Sequence, residues 1–400
     1  MIAIQGGMNE VFLLLLILSI AVLLLRPSSM AAVVWDKESV AYLVAMAVLP
    51  AAILLTQIFH QQYSAPPYDA ASRFLLAVPI FLLLRRIKFD VVAIVQYGFP
   101  IGAIVGLAAG IYLYVESYGR MRTYFLDAIH FGDFELILGV MSLLSINWIS
   151  RDSFVLRSFK TCGFFAGIYA SYASGTRGGW VAIPVFLMVY YFFNTLKLPR
   201  KTFAAIFLFL LTAFASIYAF NPQIRQHING PFNDIKEFYR GNRDTDTGVR
   251  LQLYNAAILM VVRNPLFGVG PDGFKEEMTT MQESGQITAL AAGVGRGEVH
   301  NEILSRTVSS GIFGLVAILL IYLVPFKIFV RSARSSSAQA KQAGIMGVTF
   351  VSGFFVFGLT VDILNLTMAS AFYSFTVAVL LATSLNIHHD EQHPSSTINS

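Results

Sequence analysis

The sequence predicts an all-α integral membrane protein of about 11–12 transmembrane helices, with a helical loop domain on one face. Three observations carry that expectation. Of the 400 residues 56% are apolar and only 13% charged, against about 25% charged in a typical soluble domain. The charges gather between apolar runs long enough, at about 1.5 Å per residue, to cross a hydrocarbon core of about 30 Å. A single long polar stretch, 221–310, interrupts them. Open strand edges do not survive in hydrocarbon, so the spanning parts must be helices.

The runs fall at about 11–25, 40–59, 72–84, 91–116, 134–150, 158–174, 179–194, 203–220, 311–330, 343–360 and 364–385. The first follows MIAIQGGMNE, which has neither Lys nor Arg, so it reads as a retained helix and not a signal peptide. The short third run and the long fourth, which contains Pro100, decide the final count. Short loops rich in Lys and Arg stay cytoplasmic. Such loops hold Arg85, Arg86 and Lys88; Arg151, Arg157 and Lys160; Lys197, Arg200 and Lys201; and Arg331, Arg334 and Lys341. The stretches near 60–72, 117–133, 175–179 and 221–310 then face the other side, the periplasm in a bacterium with two membranes.

The chain thus divides into N-terminal transmembrane helices (1–220), a large periplasmic loop domain (221–310), C-terminal transmembrane helices (311–385) and a cytoplasmic tail (386–400) expected to be disordered. The histidines of that tail, His388, His389 and His393, read as solvated. At roughly ninety residues the loop is too long for a structureless connection. Within it VRLQLYNAAILMVV (249–262) follows candidate caps at Thr245 and Thr247 and stops before Asn264-Pro265, the start and end of a helix. NPLFGVGPDGF reads as a tight turn, and VHNEILSRTVS (299–309) as a second short helix leading to Gly311 and the next span.

Span interiors read as nearly free of ionisable residues, which argues against a transporter with mid-membrane charges. Polar chemistry collects instead at the outer edge, in Arg73, Arg120, Arg122, Arg177, Arg250 and His300. Arg177 lies in the short hairpin SGTRGGW, where a guanidinium suits a diphosphate or, equally, snorkels to lipid headgroups. Arg250 is expected in the first turn of its helix, where it opposes the dipole; binding a diphosphate is one reason for it, a salt bridge to Asp244 or Asp246 the other. His300, between Glu298 and Glu302, is a candidate general base, though a lone histidine is more often structural. The lone Cys162 allows no internal disulfide or thiolate metal site, and no HExxH or Asp-rich pattern points to a metal. The net charge of +5 fits loop orientation and anionic membrane lipids, not nucleic acid.

The ordered pieces DAASRFLLAVPIFLLL (69–84), AIHFGD (128–133), SGTRGGWVA, GVRLQLYNAA, NPLFGVGPDGF, VHNEIL and GIFGL together resemble the O-antigen ligase family, part of the polymerase and ligase superfamily acting on polyprenyl-diphosphate-linked glycans. The resemblance runs from about residue 69 to 330. It implies a cofactor-free, metal-independent glycosyltransferase of the membrane-embedded (GT-C) type, which moves O-antigen from undecaprenyl diphosphate to a sugar hydroxyl of lipid A–core at the periplasmic face of the inner membrane. Arg177 and Arg250 match the motif arginines that hold the diphosphate, His300 the motif histidine that acts as base or positions the acceptor, and Arg73 a further arginine near the outer face. Glu298 and Asn301, beside His300, are taken as substrate-binding. Two departures stand out: Glu298 occupies a position where many members have histidine, and Asp127 one where asparagine is common. O-antigen polymerase and protein O-oligosaccharyltransferase share the donor and remain open, and a lipid or glycan transporter is the rival from another class.

Overall fold

The structure is a computed structural model and describes residues 4–25, 35–87, 91–113, 119–193 and 222–392, with scattered positions between 201 and 220. The described residues form an all-α integral membrane protein. Seven of its helices are long and apolar enough to cross a membrane, within Gly7–Leu25, Lys37–His60, Pro66–Leu84, Val95–Tyr112, Glu302–Ser332, Ala338–Gly358 and Thr367–Asn386. Three less apolar or shorter helices, Ala128–Leu144, Phe154–Ser174 and the pair Arg177–Trp180 and Ala182–Phe193, coincide with three further expected spans. The expected span 203–220 falls largely outside the described residues.

Helix ends follow local chemistry. Asp36, Asp127, Ser153, Thr245, Thr288, Asn301 and Ser337 each accept a hydrogen bond from a backbone N–H of the turn they open, satisfying donors that a helix start leaves unpaired. The cap at Asp127 corrects one expectation. The helix expected at 134–150 starts six residues earlier and ends at Leu144, so Asp133 and Glu135 lie inside it, fully buried, with no hydrogen-bond partner for their carboxyl oxygens. The span interiors are therefore less free of ionisable groups than hydropathy alone implies.

The membrane bundle packs closely where glycines meet. A Cβ on Gly167 would sit 2.3 Å from the carbonyl oxygen of Glu135, and one on Gly139 2.9 Å from that of Phe164, so the helices Ala128–Leu144 and Phe154–Ser174 touch backbone to backbone. Phe350, Phe354, Phe372 and Tyr373 stack and tilt against one another at the centre of the C-terminal helices. Lys160 is corrected too. It was assigned to an exposed loop, but it is fully buried in its helix, with Nζ 2.9 Å from Asp152 Oδ2, 2.7 Å from the Ser145 carbonyl and 2.9 Å from Gln96 Oε1. A lysine is tolerated there because every proton has an acceptor.

The polar stretch forms the helices Pro222–Tyr239, Asp246–Arg263, Gly273–Glu283 and Ala289–Gly295. They share a small core of Leu253, Ala256, Ala257, Met260, Met278, Met281, Ala291 and Ala292. The expected helix 249–262 is thus present, but it starts at Asp246, capped by Thr245 alone, which places Arg250 in the second turn and not the first. Its backbone N–H is no longer one of the free ones, and the conflict with the dipole largely disappears.

The turn 264–272 ties this loop domain to the membrane. Phe59 and Phe267 stack at 3.9 Å, and His60 Nε2 is 3.1 Å from the Gly268 carbonyl. On its other side the turn pairs with a break in Glu302–Ser332: Val269 N donates to the Val308 carbonyl at 2.8 Å and Ile312 N to that of Pro265 at 2.9 Å. The break lies at Ser310 and Gly311 (φ 59°, ψ −144°), where the short helix from Glu302 hands over to the span, as the motif spacing implied. Only glycine adopts that conformation readily, and a Cβ on Gly311 would fall 2.2 Å from the Leu266 carbonyl. Gly311→Ala is accordingly expected to lower stability by at least about 1–3 kcal/mol, read as a drop in melting temperature in detergent; an unchanged melt would sink this account of the crossing.

The last helix runs on to Gln392. Residues 386–392 are therefore helical and not the start of a disordered tail, and 393–400, with His393, lie outside the described residues.

Candidate functional site

The hairpin that ends the helix Phe154–Ser174 positions the first arginines. Gly175 caps that helix in a left-handed conformation, and Thr176 Oγ1 donates to the Ala128 carbonyl at 2.8 Å. Arg177 then opens a short helical turn. Its Nη1 lies beside Gly230, where a Cβ would come within 3.1 Å, so the guanidinium of this exposed residue adjoins the helix Pro222–Tyr239. Arg120 Nε donates to the Ser174 carbonyl at 2.8 Å. Burial lowers the Arg120 pKa; Asp127 and Asp246 oppose this, while the like charges of Arg177 and Arg250 add to it. Three arginines from three separate segments thus share one field on the loop-domain side. Asp127 and Asp246 offset part of that positive charge, and a bound anion would offset more.

Arg250 makes no ion pair with Asp244 or Asp246 among the described residues, so the bland explanation for it is not what the structure contains. One turn later on the same helix, Tyr254 donates its hydroxyl to the His300 carbonyl at 3.0 Å. Burial raises the Tyr254 pKa, Arg250 lowers it, and Asp362, Asn301 and Glu298 also act on it. Tyr254 therefore stands between the arginines and the VHNEIL segment.

His300 has φ 60°, a left-handed conformation at a non-glycine residue, uncommon and costly unless its surroundings hold it. They do so from both sides. Asp362, between the last two spans, accepts Asn301 N at 2.9 Å on Oδ1 and Val299 N at 3.4 Å on Oδ2. Below, Glu302 accepts Leu364 N at 2.7 Å and pairs with Arg306 Nε at 2.8 Å. Burial and the neighbouring Glu302 push the Asp362 carboxyl well above the usual carboxylate range. The His300 side chain is mostly covered, with Nδ1 2.7 Å from Glu298 Oε1. Burial alone would raise the Glu298 pKa, but His300 and, more weakly, His130 overcome it and lower it. Glu298 is thereby held ionised beside the imidazole.

Two sequence-predicted residues take other places. Asn301 is committed to the backbone: Oδ1 caps the helix by accepting Leu304 N at 3.0 Å, and Nδ2 donates to the Leu359 carbonyl at 3.3 Å. It shapes the His300 turn. Arg73 contacts Asn9 at 3.4 Å and Ser72 at 3.1 Å, with Asp69 acting on it through space, and none of these contacts joins it to the other arginines. Conversely, Tyr254, Asp362 and His130 belong to the neighbourhood and escaped sequence reading. The visible signal for Asp362 was an acidic residue, in LTVDILN, placed between two apolar runs.

Fold and site together define a multi-pass membrane protein whose loop domain covers a cationic, histidine-bearing cluster. Residues 162–319, which include Arg177, Arg250 and His300, match the family model described as O-antigen ligase. An uncharacterized protein of Haemophilus influenzae is 28% identical over 295 residues, 71% of each chain. The O-antigen ligase of Escherichia coli is 21% identical over 213 residues, 53% of this chain and 50% of that protein. The family match and that relative support the O-antigen ligase family for this chain, the family its motifs resemble.

Proposed function

We propose that this chain is an O-antigen ligase, which transfers O-antigen polysaccharide from undecaprenyl diphosphate to a sugar hydroxyl of lipid A–core at the periplasmic face of the inner membrane. The observation that carries the reading is the field shared by Arg120, Arg177 and Arg250, joined through Tyr254 to the turn that holds the Glu298–His300 pair. The donor already bears a good leaving group, so the enzyme has two tasks: to stabilise the charge that develops on the departing diphosphate and to take one proton from the acceptor hydroxyl.

The arginines serve the first task without a metal, gripping phosphate oxygens through paired N–H groups. His300 serves the second. A neutral ring that keeps its proton on Nδ1, the nitrogen 2.7 Å from Glu298 Oε1, leaves Nε2 to accept. The acceptor oxygen bonds to the anomeric carbon as its proton passes to Nε2, while the bond from that carbon to the diphosphate oxygen breaks and the leaving group keeps the electron pair. Attack from the side opposite the diphosphate inverts the anomeric carbon. Both substrates are anchored by lipid, which suits a site at the edge of a membrane bundle roofed by a polar domain.

The purified protein, given undecaprenyl-diphosphate-linked O-antigen and lipid A–core with a chelator present, is expected to produce ligated lipopolysaccharide whose new linkage, by NMR, is inverted. Lengthening of the donor glycan without transfer to lipid A–core would assign the chain to the polymerases of the same superfamily, and transfer only to a protein acceptor would assign it to the protein O-oligosaccharyltransferases.

A further inference from the structure

His130 has no role in the scheme above, yet its surroundings are those of a binding group. Asp127 caps the helix Ala128–Leu144 through Oδ1, which accepts from Ile129 N at 2.8 Å and His130 N at 3.2 Å. Its second oxygen pairs with His130 Nδ1. One carboxylate thus fixes both the helix start and the ring orientation. The opposite nitrogen, Nε2, is then directed away from Asp127. It is buried and has no hydrogen-bond partner among the described residues, and the residue is only 6% exposed. A histidine serving structure alone satisfies both ring nitrogens, because a buried donor left unmatched is costly.

The arginine hairpin packs on the first turns of this helix: three residues on from His130 and on the same side, Asp133 Oδ1 is only 2.2 Å from where a Cβ on Gly179 would lie. Thr176, which precedes Arg177, donates to the carbonyl of Ala128. A Cβ on Gly132 would lie 2.1 Å from Ser174 Oγ and 2.3 Å from Thr176 Oγ1, so the first turns of the helix press directly on the segment that carries Arg177. Arg120 lies within electrostatic reach of Asp127, and Glu298 within reach of His130. His130 therefore lies on a helix start packed against the arginine hairpin, with Glu298 within electrostatic reach.

We propose that His130, oriented by Asp127, is a further anion-binding group of this site, whose Nε2–H donates a hydrogen bond to a phosphate oxygen of a lipid-linked diphosphate held against Arg120, Arg177 and Arg250. The inference rests on the proposed reading of those arginines. It involves no bond making or breaking; His130 contributes a hydrogen-bond donor.

The test is the affinity of the full-length purified protein for undecaprenyl diphosphate, with undecaprenol as the phosphate-free control. His130→Phe, which keeps the ring and removes the donor, is expected to weaken diphosphate binding about tenfold or more and to leave undecaprenol binding unchanged. His130→Gln, which keeps an N–H, is expected to lose less. Should the Phe variant fail to fold, Asp127→Asn retains the cap and removes the orienting charge, and is expected to weaken diphosphate binding as well. Wild-type affinity in these variants together with weakened binding by Arg177→Ala overturns the role of His130 and leaves the arginine reading standing. Wild-type affinity in Arg177→Ala as well overturns both.

Discussion

His300→Ala is expected to lower glycan transfer about 10²–10⁴-fold, the range over which a positioned general base contributes, while the protein still folds. The side chain is partly exposed at the site, and the anchors of its turn are backbone groups: the His300 carbonyl receives the Tyr254 hydroxyl, and the N–H groups on either side reach Asp362. Truncation at Cβ removes none of them. The residue is nonetheless left-handed, a conformation that costs an L-residue about 1–2 kcal/mol and glycine almost nothing. His300→Gly is therefore expected to be as inactive as His300→Ala but at least as stable, and melting curves beside transfer rates separate the two effects. A transfer rate within tenfold of wild type in either variant would remove His300 from the chemistry. Asp362→Ala tests the same turn from below and is expected to cost both stability and activity, since it frees two backbone donors at once.

The membrane helices were legible because apolar run length is a one-dimensional signal: ten of the expected runs coincide with helices, most within a few residues. The misplaced start of Ala128–Leu144 shows the limit of that signal. Hydropathy started the span at 134, just past Asp133, and ran it toward 150, whereas the cap formed by Asp127 starts the helix at Ala128 and it ends at Leu144. Arg177, Arg250 and His300 were readable as motif residues, and the structure brings them near one another through Arg120, Tyr254 and Glu298. Asp362 and His130 were not readable. Their significance lies in partners some sixty positions away, on another helix, or in an unmatched ring nitrogen, which no local spacing encodes. Asn301 shows the converse: its place beside the motif histidine pointed to substrate, and three dimensions give its amide to the helix start.

The second large effect is expected at Arg177, and here the substitution to lysine is the more informative. The backbone on either side is locked. A Cβ on Gly178 would lie 2.5 Å from Thr360 Oγ1, and one on Gly179 2.2 Å from Asp133 Oδ1, so the turn is wedged between the helix Ala128–Leu144 and the segment following Ala338–Gly358. The Arg177 side chain is exposed above this fixed backbone, with Nη1 beside Gly230 of the helix Pro222–Tyr239. Lysine keeps the charge but replaces a planar fork of five donors with a single ammonium on a flexible stem. If the guanidinium binds two phosphate oxygens at once and follows the charge as it builds on the leaving group, Arg177→Lys should lose about 10²–10³-fold in kcat, as when one aligned donor is removed from a preorganised anion site, with a smaller change in KM for the donor. If Arg177 only attracts anionic lipid to the membrane edge, the charge suffices, and the lysine variant should transfer glycan at close to the wild-type rate.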